Sequence, residues 1–297
     1  MVSPRGSAWP GFVEMRVILW VTLLIWRIDV YASVTEIDDF GYSVTLESQP
    51  ERIVSLAPHL TELLFSLGVG GNIIATVAHS DYPPAAQLIP RLGDAFSLSV
   101  ESIVDISPDL IVAWGSGGNQ RTLARLRELG YSIYLNEVRN LEGIGATAAR
   151  LGILIGRREV GEQLEIAFLE ELARLNSESP MKLAPSVFFQ ISDQQLYTVS
   201  DDHLIGQAIR VCNARNIFGD LDLAVPMVSL ESLVSADPDL ILVASPYEGF
   251  LSSWSETWQR LNWQNRVRYV DASLVTRPGL RMLRGIESMC KSIGQPD

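Results

Sequence analysis

Short, wholly aliphatic runs alternate along this chain with segments whose apolar residues recur at helical spacing. That order predicts β-strands leading into α-helices, the pattern of parallel sheets covered by helices. After a β-like lead-in, Val34 to Leu46, a strand at Ile53 to Leu56 passes through the turn Ala57-Pro58-His59 into a helix, Leu60 to Leu67. Gly68 follows where a left-handed cap is wanted. Further strands are predicted at Ile73 to Ala78 and Ile133 to Leu135, and a helix at Leu123 to Leu129. From Leu141 to Asn176 no strand signal appears, and Gly156 divides the stretch into two helical segments. The second, Arg158 to Leu175, is apolar at Val160, Leu164, Ala167, Phe168, Leu172 and Leu175. A helix of that length reaches about 27 Å, enough to run from one lobe to another. Beyond it lie a strand at Ser186 to Ile191, a helix at Asp201 to Val211, a loop at Ser245 to Leu251 and a Trp-rich helix around Trp254 and Trp258. A strand at Val267 to Asp271 and a helix from Pro278 to Ile293 close the chain.

One segment occurs twice. Val100 to Val112 reads VESIVDISPDLIV and Leu230 to Leu242 reads LESLVSADPDLIL, identical at seven of thirteen positions and 130 residues apart. Each copy has a Ser (Ser99, Ser229) before an apolar-periodic run, then a Pro-Asp pair, then an aliphatic run. This predicts a capped helix, a tight turn and a buried strand in each of two similar α/β lobes. The duplication also makes Glu101 and Glu231 a matched pair at corresponding helix N-termini. The domain reading is therefore a leader over 1–32, a first lobe over 33–140, a linking helical segment over 141–180 and a second lobe over 181–297.

With 47% hydrophobic and 20% charged residues the composition is that of a globular protein. A net charge of −12 without a Lys/Arg cluster argues against a nucleic-acid partner. Arg5 and Arg16 precede a ten-residue apolar run, Val17 to Trp26, and a small-residue site at Ala32. Such a run is too short to span a bilayer as a helix, which takes about 20 residues. It fits a signal peptide cleaved after Ala32, and hence export. The alternative is a buried or interfacial N-terminal helix. Cys212 and Cys290 are the two cysteines. In an oxidising compartment they read as a disulfide, against the alternative of two unpaired buried thiols.

Ligands of parallel α/β sheets bind outside the carboxyl ends of the strands. His59, His79 and Trp114 are predicted there, Trp114 ahead of a flexible Gly115-Ser116-Gly117-Gly118 run. The stretches LAPHLTELLFSLG, HSDYPP, RLGDAFSLSVESIVDISPDLIVAWGSG, VCNARNIF and VPMVSLESLVSADPDLIL, the long connecting helix and the late Cys290 carry a resemblance over nearly the whole mature chain. It resembles the vitamin B12-binding receptors of ABC import, within the helical-backbone class of periplasmic solute-binding proteins. The resemblance implies two Rossmann-like lobes joined by one long backbone helix. It also implies a corrinoid flat in the cleft between the lobes, and one surface glutamate per lobe, Glu101 and Glu231, docking on arginines of a permease dimer. By position it places ligand contacts at Pro58, His59, His79, Phe96 and Trp114, and at Gly249, Phe250 and Leu251. Cobalamin is then transported cargo, no cofactor is implied, and a monomer is expected. Where the family carries aromatics, this chain has His79, Phe96 and Val225. His79 offers a neutral imidazole that suits hydrogen bonding to the corrin rim or ligation of its cobalt.

Three rival readings follow from the same residues. A siderophore or haem receptor shares the fold. A metal-ion receptor would use His59, His79, His203 and a carboxylate, but no Asp or Glu stands at ligand spacing from them. A hydrolytic enzyme lacks a Gly-x-Ser-x-Gly elbow, a Walker A motif and a nucleophile with an evident base.

Overall fold

The computed structural model describes residues 1–2, 33–94, 97–177 and 184–294. Nearly all of the leader, 3–32, therefore lies outside the described residues. Met1–Tyr31 and Ala32–Asp297 form separate units, and both lobes lie in the second.

The first lobe opens with an antiparallel hairpin, β1 (Val34–Ile37) and β2 (Ser43–Leu46). Its sheet is built from β3 (Ile53–Ser55), α1 (Pro58–Ser66), β4 (Ile73–Thr76), α2 (Val100–Val104), β5 (Leu110–Trp114), α3 (Gln120–Glu128) and β6 (Ile133–Asn136). The strands are parallel in the order β4-β3-β5-β6. After α4 (Glu142–Leu154) and α5 (Arg158–Ser177) come β7 (Ser186–Gln190), α6 (Leu204–Val211), β8 (Arg215–Asn216), α7 (Leu230–Ala236) and β9 (Leu240–Ser245). Then follow α8 (Ser255–Arg260), β10 (Val267–Asp271), α9 (Ala272–Val275) and α10 (Met282–Gly294). The second sheet reads β8-β7-β9-β10, also parallel. Strand for strand this is the order of the first.

The repeat explains the match. Ser99 Oγ accepts from Ser102 N–H and Ser229 Oγ from Ser232 N–H, so each copy is capped as its sequence predicts. The Asp of each Pro-Asp pair then fastens the strand next door. Asp109 accepts from the backbone N–H of Glu51 and Arg52 just before β3, and Asp239 from the N–H and hydroxyl of Ser186 at the start of β7. These bonds hold the Asp239 carboxyl below its usual range. The aliphatic runs become central strands buried on both faces. Leu110 and Val112 enter one cluster and Ile111 and Ala113 another, while Leu240 and Leu242 separate from Ile241 and Val243 in the same way.

Two predicted helices begin later than expected. His203 is the N-cap of α6, its Nδ1 accepting from Ile205 N–H, so Asp201 and Asp202 stay outside the helix. The closing helix starts at Met282, because Pro278-Gly279 occupies a turn between α9 and α10. Cys212, at the end of α6, and Cys290, on α10, form a disulfide. Closing a loop of 78 residues contributes roughly 4 to 5 kcal/mol in the chain-entropy picture.

The linking segment is an antiparallel helix pair. Phe168, Leu172 and Leu175 of α5 pack in the second-lobe core with Leu141 and Ile144, while Ala148, Leu151 and Leu154 of α4 pack in the first-lobe core with Leu164 alongside. Each helix thus has one end in each lobe. Gly156, at φ +72°, makes the reversal between them. The backbones nearly touch at Gly152 and Gly161, where a Cβ on Gly161 would lie 2.5 Å from the Ala148 carbonyl oxygen. Gly161→Ala is therefore expected to destabilise the protein by about 1 to 3 kcal/mol through overpacking against backbone that cannot move aside. Chemical denaturation checks this, and a variant as stable as the wild type would show that the helices can separate freely.

Candidate functional site

The carboxyl ends of the two sheets border two recesses. The first, about 630 Å³, takes Trp114, Ser116 and Glu137 to Arg139 from the first lobe, and Asp202 to Leu204, Ala224, Val225, Val275, Thr276 and Pro278 from the second. The second, about 510 Å³, joins Asp81 of the first lobe to the β9 loop, Ser245 to Phe250, and the end of β10. The α9 segment contributes to both.

Trp114, the last residue of β5, is 37% exposed, which is unusual for so large an apolar side chain next to a core strand. Its position is held by close backbone approach. The indole lies against Gly117 and the Phe40 ring against Gly115, at distances that no Cβ at either position would permit. The glycine run read as flexible is thus a seat for two rings. Behind the indole, His59 meets it edge-on at 6.1 Å. His59 is buried and its Nε2 lies 3.1 Å from Asn136 Oδ1. The Asn136 amide nitrogen donates to Asp39 and Thr147, so its oxygen faces the imidazole and His59 Nε2 carries the proton that it donates. Asp39 also accepts from Glu137 N–H and pairs with Arg150. Burial lowers the His59 pKa to about 4, against the raising effect of the Asn136 bond. His59 is a neutral support for Trp114.

Beneath the recesses the turn Arg277-Pro278-Gly279-Leu280-Arg281 reaches from the second lobe to the first. Buried Glu62 of α1 accepts from Arg277 Nη1 at 2.9 Å and from Arg281 Nε and Nη2 at 2.8 and 2.7 Å. Arg277 also binds Asp81 at 2.8 Å, and the Arg281 guanidinium lies over the Tyr82 ring. Burial acts to raise the Asp81 carboxyl, but the Arg277 bond and charge hold it below its usual value. Leu280 packs against the cores of both lobes.

The residues predicted to form the site divide among different places. Pro58 opens α1 half-buried, in front of His59. Trp114 faces the first recess, and Gly249 and Phe250 line the second, where Phe250 packs edge-on against Tyr247 and Tyr269. Leu251 is exposed beside it. His79, at φ +66°, is exposed and outside the lining of both recesses. Phe96 lies outside the described residues. Glu101 and Glu231 are exposed in the first turns of α2 and α7; a Ser99 bond holds Glu101 below its usual value, and backbone and Ser229 bonds do the same for Glu231. His59, His79 and His203 do not converge, and among the described residues no three His, Cys, Asp or Glu side chains gather as metal ligands. Sequence reading missed Asp39, Asn136, Glu62, Arg277 and Arg281, whose roles depend on partners far away in the chain.

The model of the periplasmic binding protein family matches residues 53–269. The chain belongs to that family. A vitamin B12-binding protein of Vibrio cholerae is 30% identical to this periplasmic binding protein over 242 residues, 81% of this chain and 88% of the relative. The crystal structure of the periplasmic vitamin B12 binding protein of Vibrio cholerae superposes with a TM-score of 0.74 at 30% identity, over 82% of this chain and 97% of that one. A periplasmic heme binding protein from Pseudomonas aeruginosa has a TM-score of 0.71 at 20% identity, over 82% and 92% of the two chains, and shares the fold.

His59 gives this binding protein a pH signature. Its folded pKa of about 4 lies below the ordinary 6.5, so the unfolded chain takes up a proton first as pH falls. Its contribution is complete above pH 6.5 and is lost towards pH 4, by about 3 kcal/mol in full. Unfolding free energies at pH 7 and 4.5 should show a steeper acid loss for the wild type than for His59→Gln. Parallel losses would mean that the imidazole titrates normally in the fold.

Proposed function

We propose that this protein captures a corrinoid between its lobes and delivers it, without turnover, to the permease of an ABC importer. The observation that carries the reading is Trp114: an indole exposed at a strand's carboxyl end, backed by a hydrogen-bonded His59–Asn136–Asp39 chain and facing a recess shared by both lobes. A flat, largely apolar macrocycle suits such a platform. Relatives named for vitamin B12 binding support the choice of ligand. The leader over 1–32 is read as a signal peptide removed after Ala32.

Tryptophan quenching of the mature protein with cyanocobalamin, haem, a ferric siderophore and zinc tests the ligand. Cyanocobalamin should bind, and Trp114→Ala should weaken it by at least about 1 kcal/mol through lost stacking. Binding of haem or siderophore with no response to cobalamin would overturn the reading.

Glu101 and Glu231 are the docking points in this proposal. Each presents an exposed carboxylate at the corresponding capped helix of its lobe, suited to arginines on the two halves of a permease dimer. The exchange of both for Gln should leave corrinoid affinity and melting temperature nearly unchanged while uptake through the permease falls, since each change costs a solvated helix only a few tenths of a kcal/mol. Unchanged uptake with reduced affinity would place the glutamates in the cleft instead.

A further inference from the structure

The described lining of the two recesses is acidic. Glu137 and Asp202 face the first, Asp81, Glu248 and Asp271 the second, and Arg139 is the one arginine or lysine among those residues. Asp81 is matched by Arg277. Among the described residues the other four carboxylates pair with no cation. Ser116 holds both Glu137 oxygens through its N–H and hydroxyl at 2.8 and 3.0 Å, which aims the group without neutralising it. Asp271 accepts from Ser273 N–H at 2.8 Å, again a neutral donor. The arginines at the base of the cleft are committed elsewhere, Arg277 and Arg281 to Glu62 and Arg277 also to Asp81. A ligand carrying free carboxylates would therefore meet like charges, with Arg139 alone to offset them.

We propose that Glu137, Asp202, Glu248 and Asp271 form a charge filter that admits corrinoids with amidated rims and rejects tetrapyrroles whose rims carry free acids. This inference rests on the corrinoid reading above. Amide N–H groups donate to carboxylates, and the Co(III) corrin core is cationic, so an amidated corrinoid meets complementary charge on both counts. Carboxylates on the same ring would face these carboxylates across the recesses, and such like-charge juxtaposition discriminates between partners. Haem and corrinoid have similar flat shapes, so shape alone separates them poorly. The charge on the rim separates them well.

The test compares two corrinoids of one ring size: diaquocobinamide, whose rim is amidated, and cobyrinic acid, whose rim carries free acids. Titrated into the mature protein at low ionic strength, cobinamide should bind at least about 100-fold tighter. Raising the salt should shrink that ratio severalfold in the unmodified protein, because partly exposed charges are screened. In the variant Glu137→Gln, Asp202→Asn, Asp271→Asn, cobyrinic acid should gain affinity while cobinamide does not. Equal binding of the two by the wild type, or a ratio that neither salt nor the triple variant changes, would overturn the filter and leave the corrinoid reading standing. Failure of both corrinoids to bind would instead defeat that reading, and the filter with it.

Discussion

Two lobes that share no strand are held in register by backbone contact between α4 and α5. Gly152 and Gly161 let the helices approach until a Cβ on Gly161 would lie 2.5 Å from the Ala148 carbonyl oxygen and one on Gly152 2.9 Å from the Gly161 α-carbon, and each helix has one end in the core of each lobe. Side chains at the crossing would act as spacers with alternative rotamers, whereas backbone against backbone has almost no freedom to rearrange.

The Arg277–Arg281 turn adds a second tie at another point. Glu62 is buried and takes three hydrogen bonds from two guanidinium groups of the opposite lobe, so either arginine lost would leave a carboxylate short of charge in a poorly solvated place. The tie also decides what the cleft offers a ligand. Arginines that might have met anionic groups are spent on Glu62 and Asp81, and the remaining lining is negative. One set of ion pairs thereby joins the lobes and shapes the electrostatics of the site.

Trp114 shows how a binding surface is supported from behind. An exposed indole is useful as a platform only if it stays put, and three local features hold it: Gly117 under the ring, His59 at its edge, and Asn136 and Asp39 behind His59. Asp39 belongs to the turn between β1 and β2. The hairpin ahead of the first sheet, which adds no strand to it, thus contributes to the site through a polar chain in which every partner has a hydrogen bond to make.

Much of the fold was legible in the residues because its signals are local. Ser caps, Pro-Asp turns and aliphatic runs act within a few positions, so the repeat from Val100 and from Leu230 sufficed to announce two lobes of one topology, and Gly156 marked the reversal between helices. Trp114 could be placed at a strand end for the same reason. The site was legible only in part. Glu62 meets Arg281 across 219 positions and Asn136 meets Asp39 across 97, and nothing near any of these residues marks its partner. Gly115 and Gly117 read as flexible because a glycine's freedom is visible in sequence, while the ring that fills the space above it is not. Local chemistry determined the elements, and only the tertiary structure decided which charges are spent in joining the lobes and which are left facing the cleft, because pairing of charges depends on distance in space and not along the chain.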